Sequence, residues 1–531
     1  MMNKKKTLAS VLAILMAISG FSGCFGGSNT TSSESFSESA TDSSSVEEVD
    51  EGLLYENLSN KIDALKTGEE IVINIDKEVK NNNFLTIQLR TDCNLLGYIH
   101  YTKSGDASTI HKEKIYIEAD AEEFSIFLDA FRIGAFGAYE KRIEKITLRN
   151  VDTKTGYARV HRVEIGDRTY NNQEMLYTAN EHLKIGASLA AGGSLCHVES
   201  LDRKVVEYID ENGFTRIDEN VNKEDVTVIT DQVNLVNVHD LGREIQQSFY
   251  SNIDETNGYA PDDDVLYEGN LLYNPVQAGS AGHNQSQIID YHVTDSEIYV
   301  KCRPQDWFLR NTQTDSYMES TYAFAEDGTL RVTNRFVNFS EYKDMDKARI
   351  GGQETPAIYI VHPLNYFYCE TRSGTINDPN LLDAMTTQQK LYYDHEVKGD
   401  YHYVLNKDQF FYDWFAFVND KKFGLGIYMP KFDQLVASRG WTSTNYEYIY
   451  NSDYNYTIYQ LNSRRTPSMY VSNYNYCCPS VIRRMVDFVP FEYTFALYVG
   501  TVYEMKANFE RMDKKNEIPN SGIEAWETID W

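Results

Sequence analysis

The polar stretch at residues 234–250 carries the side chains best suited to chemistry. A strand beside a core is normally apolar on one face and polar on the other. If this chain is extended, both faces are polar: His239, Arg243 and Gln247 share one, and Asp240, Glu244, Gln246 and Tyr250 share the other. Each such group would cost about 1–3 kcal/mol if buried unpaired. The pattern predicts that one face borders a wet groove for a hydroxyl-rich ligand.

Carboxyl groups in and beyond this stretch could cleave a glycosidic bond. That reaction needs two carboxyls, or a carboxyl with another acid or base, on opposite sides of the bond. Asp240 and Glu244 lie in the stretch, and Glu354 lies in Gly-Gly-Gln-Glu-Thr-Pro-Ala, a predicted glycine-rich loop ended by proline. Glu354 is the predicted acid or nucleophile, and Glu319 is the second choice. A solvated loop glutamate is the competing interpretation for Glu354. For Asp240, a ligand clamp beside His239 and a salt bridge with Arg243 remain equal alternatives.

Cleavage by elimination needs a different set of groups, namely a base and a cation that neutralises a uronate carboxylate. The candidates are His239, Arg243, Gln247 and Tyr250 as the main set, Arg303 and Arg335 as further cations, and His283 in a flexible polar loop as another base. A structural hydrogen bond is the competing interpretation for any single histidine. The sequence therefore leaves hydrolysis and elimination both open.

Sugar binding needs a ring that stacks and planar groups that bind neighbouring hydroxyls. Trp307 follows a predicted strand and fits the first role, while Asn274 and Gln277 fit the second. The three aspartates at residues 262–264 could bind calcium, and a solvated acidic turn explains them as well. The six cysteines after Cys24 show no paired CxxC spacing, so neither a zinc site nor another cofactor is predicted.

The composition limits the partners of the chain. Its 531 residues include 79 acidic and 50 basic side chains, which give a formal charge of −29. Such a surface repels phosphate backbones, so we expect no nucleic-acid partner. Apolar residues make up 42%, enough for sizeable cores, and the length indicates more than one domain.

The first 50 residues resemble the leader and tether of a bacterial lipoprotein. Three lysines at residues 4–6 precede an apolar run at residues 8–18 that is short for a membrane span. Phe21-Ser-Gly-Cys24 then resembles the lipobox, whose cysteine becomes the lipid-bearing N-terminus. The resemblance implies a signal peptide at residues 1–23, lipidation at Cys24 and a disordered Ser/Thr/Glu-rich tether at residues 24–50. We expect the extracellular face of the bacterial membrane, reached through this lipid only.

Short alternating runs dominate the next part of the chain. They predict strands at residues 71–75, 84–89, 95–101, 114–118, 124–128, 142–151 and 158–165. Strands of this length indicate a jelly-roll-like β-sandwich over residues 51–175, which could bind carbohydrate or only support its neighbour. Residues 53–66 differ, because their apolar spacing is typical of a helix.

Residues 176–515 also consist of near-continuous strand patterns. Strands are predicted at residues 183–189, 298–303, 320–325, 329–336, 357–361, 410–418, 423–429, 446–461 and 493–499, and helices at 382–390 and 502–512. Turn sequences such as Glu-Asp-Gly-Thr at residues 326–329 indicate antiparallel pairing. More than 300 residues of this kind predict two large stacked sheets, followed by a C-terminal tail at residues 516–531. The predicted fold class is all-β.

Three motifs within residues 181–510 resemble the galactose-mutarotase-like supersandwich. They are Ile185-Gly-Ala-Ser-Leu, Asn234-Leu-Val-Asn and Tyr322-Ala-Phe-Ala-Glu-Asp-Gly-Thr-Leu-Arg-Val-Thr-Asn-Arg335. The chain is also similar to secreted bacterial proteins that carry His-Asp-x-Gly-Arg-x-x-Gln-Gln-Ser, present here at residues 239–248. The wider fold includes sugar epimerases and domains of polysaccharide lyases and glycosidases, so the resemblance implies carbohydrate and nothing narrower. The complete epimerase motif has no clear equivalent, which argues against free-sugar epimerisation.

Functions of different classes fit these observations. The leading hypothesis is a cell-surface carbohydrate-active enzyme that cleaves a polysaccharide or oligosaccharide by hydrolysis or elimination. The runner-up is a glycan-binding lipoprotein without catalysis. A surface protein with only a structural role is the third.

Overall fold

Alternating apolar and polar residues form strands along most of the chain. The computed structural model describes residues 52–57, 63–80, 84–103, 106–128, 141–166, 168, 171–211, 215–238, 242–251, 273–280, 284–307, 312–341, 351–361, 363–364, 366–371, 401–440 and 474–526. Within them, thirty strands accompany a single α-helix. The predicted all-β fold class is confirmed.

Nine strands form the N-terminal sandwich. They are β1 (Leu53–Glu56), β2 (Asp63–Leu65), β3 (Glu70–Val79), β4 (Phe84–Thr91), β5 (Leu95–Lys103), β6 (Asp106–Ile117), β7 (Glu123–Phe127), β8 (Lys141–Asn150) and β9 (Gly156–Gly166). One sheet has the order β1-β9-β4-β7 with β2 beside β9, and the other has the order β3-β8-β5-β6. Ile87 of β4 and Ile146 of β8 are among the fully buried residues that the two sheets contribute to one core. The helix expected over residues 53–66 is wrong, because β1 and β2 pair with β9 instead.

The remaining strands begin near residue 175. They are β10 (Met175–Ala179), β11 (Leu183–Ser188), β12 (Ser194–Ser200), β13 (Val205–Ile209), β14 (Thr215–Glu219), β15 (Thr227–Thr230), β16 (Ile245–Ser248), β17 (Pro275–Val276), β18 (Gln287–Val293), β19 (Glu297–Arg303), β20 (Gln305–Asp306), β21 (Ser316–Phe324), β22 (Leu330–Asn338), β23 (Gly351–Val361), β24 (Tyr366–Thr371), β25 (Tyr401–Asn406), β26 (Phe410–Val418), β27 (Phe423–Tyr428), β28 (Gln434–Gly440), β29 (Tyr474–Arg483) and β30 (Phe491–Thr501). Short 3₁₀ helices occupy Leu189–Ala191, Lys407–Gln409 and Ser521–Ala525.

Two large antiparallel sheets are built from these strands. The ten-stranded sheet, here called the large sheet, has the order β10-β11-β12-β16-β23-β29-β28-β25, with β17 and β20 attached beside β16. The eight-stranded sheet, here called the opposing sheet, has the order β18-β19-β21-β22-β30-β27-β26-β24, and β14-β13-β15 form a separate small sheet. Apolar residues of both large sheets, such as Ile358 and Phe495, belong to one buried cluster. The side of the large sheet turned toward this cluster is its inner face, and the other side is its outer face.

The helix α1 (Val502–Lys515) follows β30 directly. Thr501 and Glu504 form a capping box at its start, so two backbone N–H groups of the first turn are satisfied. Its buried residues, including Met505 and Phe509, pack with Trp414 of β26. The helix predicted at residues 502–512 is therefore confirmed. No helix in the described part of the chain combines the length and the apolarity needed to cross a membrane.

The segment after α1 packs onto the core. Trp526 is 1% exposed, its ring centroid lies 4.6 Å from that of Phe491 and 5.7 Å from that of Phe249, and its indole N–H donates to the carbonyl of Val489. The described end of the predicted C-terminal tail is thus part of the folded structure.

Charged and aromatic contacts join the N-terminal sandwich to the opposing sheet. Arg303 of β19 forms an ion pair with Glu113 of β6, and both side chains are 0% exposed. Tyr116 of β6 stacks on Phe339, with 5.7 Å between the ring centroids. All described residues fall within one compact unit that spans residues 51–531.

Candidate functional site

Several predicted site residues lie outside the described part of the chain. These are Cys24, His239, Asp240, His283 and the aspartates at residues 262–264. Among the residues that the structure does describe, no group of three or more His, Cys, Asp or Glu side chains is arranged to hold a metal ion.

Strand β16 occupies a central position in the large sheet, between β12 and β23. Ile245 and Phe249 point to the inner face and join the apolar core. Alternation places Gln247 on the same face and Gln246, Ser248 and Tyr250 on the outer face. The two faces of this strand therefore have different surroundings.

On the inner face, the polar residues bind one another inside the protein. The Gln247 amide donates to the Glu319 carbonyl at 2.7 Å and to the Ser320 hydroxyl at 3.1 Å. The Gln277 amide donates to the same hydroxyl at 3.0 Å, and its oxygen accepts the Gln247 backbone N–H at 3.1 Å. Ser320 donates in turn to Asn334, which donates to the Tyr493 hydroxyl. The polarity of the inner face thus produces a buried network between the sheets, which leaves the outer face as the place for the predicted groove.

On the outer face, three tyrosines surround Glu354. We call Tyr250, Glu354, Tyr359 and Tyr476 the tyrosine–glutamate face. The Tyr476 hydroxyl donates to Glu354 Oε1 at 2.6 Å. Tyr359 and Tyr476 are paired across β23 and β29, with their ring centroids 4.8 Å apart. Tyr250, Glu354 and Tyr359 are half-buried, whereas Tyr476 is 5% exposed.

The position of Glu354 corrects one expectation. Its predicted loop is the first half of β23, a strand in the interior of the large sheet that pairs with β16 and β29. The register with β29 shifts between Glu354 and Ile358. Such an irregularity accommodates Pro356, which has no N–H for a regular ladder. A strand fixes Glu354 more firmly than a loop would, because both neighbouring strands hold its backbone.

Burial and negative charge determine the protonation of this face. The pKa of Tyr250 lies well above its usual value because the phenol is buried and because Glu354 is near. The pKa of Tyr476 is raised by burial, by Cys478 and by Glu354, and the pKa of Cys478 is raised by burial and by Glu354. The phenols of Tyr250 and Tyr476 therefore keep their protons at neutral pH. The Tyr476 phenol donates to Glu354, and the Tyr250 phenol accepts from the Ser248 hydroxyl at 3.2 Å. The face combines a carboxylate acceptor with a phenol donor and aromatic rings.

Two of the predicted cations, Arg303 and Arg335, have partners elsewhere in the protein. The guanidinium of Arg303 is enclosed by Glu113, by the carbonyl of Lys114 and by two aromatic rings. Arg335 pairs with Glu118 and, at 3.2 Å, with Glu319. Burial alone would raise the pKa of Glu319, but Lys301 and Arg335 outweigh it and hold this pKa below its usual value. Arg303, Arg335 and Glu319 thus form structural ion pairs on the opposing sheet.

The other predicted residues near β16 are also held by the protein. Glu244 is 0% exposed, and its carboxylate accepts the Gly242 N–H at 3.0 Å. Asn274 is 0% exposed, so its amide lies inside the protein, and its backbone N–H donates to Asp306 at 3.0 Å. Gly242 has φ +93°, and a Cβ there would lie 2.5 Å from the ring of half-buried Trp307, so only glycine fits this contact. Arg243 is half-buried beside them.

Sequence reasoning found Glu354 and Tyr250 but missed Tyr359 and Tyr476. A signal was present in Tyr-Asn-Tyr-Cys-Cys at residues 474–478, because alternation in a strand separates the two cysteines. Cys477 belongs to the core between the sheets, and Cys478 clusters with Tyr476 on the outer face. The approach of Tyr476 to Glu354 spans 122 residues of sequence and needs the fold.

Comparisons with known proteins add little to this geometry. No protein-family model matches the chain, and no curated protein matches it either. Among solved structures, HI1317 is similar over 61% of this chain and 91% of its own, with 8% identity and a TM-score of 0.27. The 4-alpha-glucanotransferase from Thermococcus litoralis is similar over 62% of this chain and 39% of its own, with 10% identity and a TM-score of 0.26. Likenesses this weak carry no conclusion about function.

Proposed function

We propose that this protein is a carbohydrate-active protein of the cell surface, which binds a polysaccharide or oligosaccharide at the tyrosine–glutamate face and cleaves it with Glu354 as acid or base. The observation that carries the proposal is the bond from the Tyr476 hydroxyl to Glu354 Oε1 at 2.6 Å, beside two half-buried tyrosines. Saccharides offer apolar ring faces and many hydroxyls. Tyrosine rings and a carboxylate complement both features.

Glu354 is suited to proton transfer by its position. A carboxylate that accepts a phenol hydrogen bond is held in one orientation, and its half-buried side chain remains within reach of a ligand. Tyr476 holds this carboxylate in place and is a positioning residue. General acid–base catalysis by a positioned group contributes typically 10²–10⁴-fold to a rate. Loss of the Glu354 carboxylate should therefore reduce turnover by about that factor.

Incubation of the full chain with a glycan panel tests the proposal. New reducing ends would report hydrolysis, and unsaturated products would report elimination. We expect Glu354→Gln to reduce product formation by about 10²–10⁴-fold and Glu78→Gln to leave it unchanged, since the Glu78 side chain is 76% exposed in the N-terminal sandwich. A folded protein that yields no product from any glycan and binds none would refute the proposal.

A glycan-binding protein without catalysis is the second candidate. One observation favours it: Glu244, the other described carboxylate predicted on the outer side of β16, is fully buried and bound to Gly242. Glycosidic hydrolysis by two carboxyls needs both of them within reach of the bond. Under this candidate, Tyr359→Ala weakens glycan binding at least tenfold, while Glu354→Gln has no turnover to remove.

The proposed location depends on lipidation of Cys24. The lipobox-like Phe21-Ser-Gly-Cys24 is the sequence basis for an anchor, and a lipid chain contributes about 0.8 kcal/mol for each buried methylene. We expect the wild-type protein to partition into detergent and Cys24→Ala to remain in the aqueous phase. Equal partitioning of the two proteins would contradict the anchor.

A further inference from the structure

We infer that the N-terminal sandwich carries a binding site for the acidic group of a glycan, a carboxylate or a sulfate, on the outer side of its sheet β1-β9-β4-β7. The residues that form the site are Arg90 of β4 and Arg159 and His161 of β9, here called the arginine row. It lies in a different sheet from the tyrosine–glutamate face and does not rest on the proposed function. It makes this sandwich a binding module and not only a support.

The two arginines of the row are direct neighbours across antiparallel strands. The register pairs Arg90 with Arg159 and, next to them, Leu89 with Val160. Leu89 and Val160 are buried in the core, so both arginine side chains lie on the outer face, where Arg90 is exposed and Arg159 is half-buried. Directly opposite residues have Cβ atoms about 4.5–5.5 Å apart, and like charges in such a pair destabilise a sheet. An anion between the two guanidiniums removes this repulsion.

The hydrogen bonds of the row leave its charge uncompensated. Within the residues that the structure describes, neither arginine of the row forms an ion pair with a carboxylate, whereas Arg162 of the same strand pairs with Glu164 at 2.5 Å. Arg159 donates to the carbonyl of Asn57 at 3.1 Å, and its Nε is buried with no hydrogen-bond partner among the described residues. The chain has 79 acidic side chains, yet none of those described neutralises this pair.

His161 adds a third nitrogen-bearing side chain to the row. The register of β4 with β9 shifts between Gln88 and Leu89, which makes His161 the extra residue of a bulge. The pKa of His161 is lowered by burial, by Arg159 and by Arg90. Both charged groups that act on the imidazole are cations, so the electrostatic potential at the row is positive.

Acids on the adjoining strands do not face the two arginines. Glu56 of β1 and Glu123 of β7 lie opposite Arg162 and Gln88 in the register. Charges are screened beyond about 8 Å at 0.15 M ionic strength. A ligand at the row therefore responds to the two arginines more than to the distant carboxylates that give the chain its net charge of −29.

The chemistry of the row fits an acidic glycan. A guanidinium presents a planar fork that binds the two oxygens of a carboxylate or sulfate together. Half-buried Gln88 beside the row offers an amide to a neighbouring hydroxyl. Duplex DNA carries one charge for about each 1.7 Å of its axis, so an acidic chain repels it strongly. A glycan with a single acid on each sugar separates its charges by uncharged rings and hydroxyls, and one such acid can enter the row alone.

Matched polymers test the inference with the full chain at about 0.15 M ionic strength. Polygalacturonate is compared with its carboxyl-reduced form, and dextran sulfate with dextran, so that each pair keeps its linkages and differs in charge. We expect at least one acidic polymer to bind at least tenfold more tightly than its uncharged counterpart. Inorganic sulfate should compete poorly at the same concentration of acid groups. Equal competition would mean that the row takes a free anion and would overturn the assignment to a glycan.

Three variants assign the binding to the row. We expect Arg90→Gln to weaken binding of the acidic polymer at least tenfold and Arg142→Gln to leave it unchanged, since Arg142 lies in the other sheet, 39% exposed and 2.6 Å from Asp76. Arg90→Glu places a carboxylate opposite Arg159, so it should abolish binding and raise the urea midpoint of unfolding. Equal affinity for the acidic and uncharged polymers, or equal losses in Arg90→Gln and Arg142→Gln, would overturn the inference. None of these measurements depends on cleavage, so a failure of the proposed function leaves them intact.

Discussion

Glu113→Gln should destabilise the protein by about 3–5 kcal/mol, because it leaves Arg303 as an uncompensated buried cation. Both side chains are 0% exposed, so water cannot replace the lost partner. Two rings, those of Tyr317 and Phe339, have their centroids 5.6 Å from the guanidinium carbon and leave it in apolar surroundings. With an m-value of about 3 kcal/mol/M in urea, the unfolding midpoint should fall by about 1–2 M.

Urea unfolding followed by tryptophan and tyrosine fluorescence measures this effect. Glu78→Gln is the matched control, since its carboxylate is 76% exposed and lies 3.8 Å from Arg142; we expect a change below about 0.5 kcal/mol there. Replacing both partners, with Glu113→Leu and Arg303→Met, should recover most of the stability, because no buried charge remains. A loss below about 1 kcal/mol for Glu113→Gln would refute the structural role. If Arg303→Met loses glycan binding but keeps its stability, Arg303 would have to be assigned to substrate binding instead.

Three further predictions concern the C-terminal segment, the junction of the two sandwiches and the site. Trp526→Ala should cost about 3–5 kcal/mol, measured by urea unfolding, because a buried indole and its bond to Val489 are removed together; a change below about 1 kcal/mol would mean that the C-terminal segment does not pack as described. Burial raises the pKa of Asp487 from 3.8 to about 6, so the native state holds a proton that the unfolded chain has released, and stability falls by about 3 kcal/mol as pH rises through this window. Asp487→Asn should flatten that part of the stability profile, and a profile with the wild-type slope would contradict the assignment. Tyr476→Phe should lower kcat about tenfold or more and alter its pH profile, because the hydrogen bond that orients Glu354 is lost; an unchanged pH profile would show that Tyr476 does not position this carboxylate.

Alternation alone located most of the strands that the structure describes. The run at residues 410–418 is β26, and the runs at 84–89 and 95–101 fall within β4 and β5. The pattern succeeds because each strand buries one face. The alternation of apolar and polar side chains therefore shows which face of the strand each residue occupies. It failed at residues 53–66, where apolar spacing fits a helix but the backbone pairs with β9. It also failed at Glu354, where glycine and proline indicated a loop but neighbouring strands impose β structure around a register shift.

The sequence by itself determined the fold class, the acidic character of the chain, and Glu354 and Tyr250 as candidates. Only the tertiary structure decided which polar residues face outward and which face one another. In the sequence, Gln247 and Gln277 resemble amides that bind a ligand. In the structure, they donate to backbone and hydroxyl groups of the opposing sheet, and Gln277 also donates to the carbonyl of Gly192. Arg303 likewise meets Glu113 from 190 residues earlier in the chain. The physical reason is that the periodicity of a strand records which face a side chain occupies, whereas the surface packed against that face is brought there by distant parts of the chain.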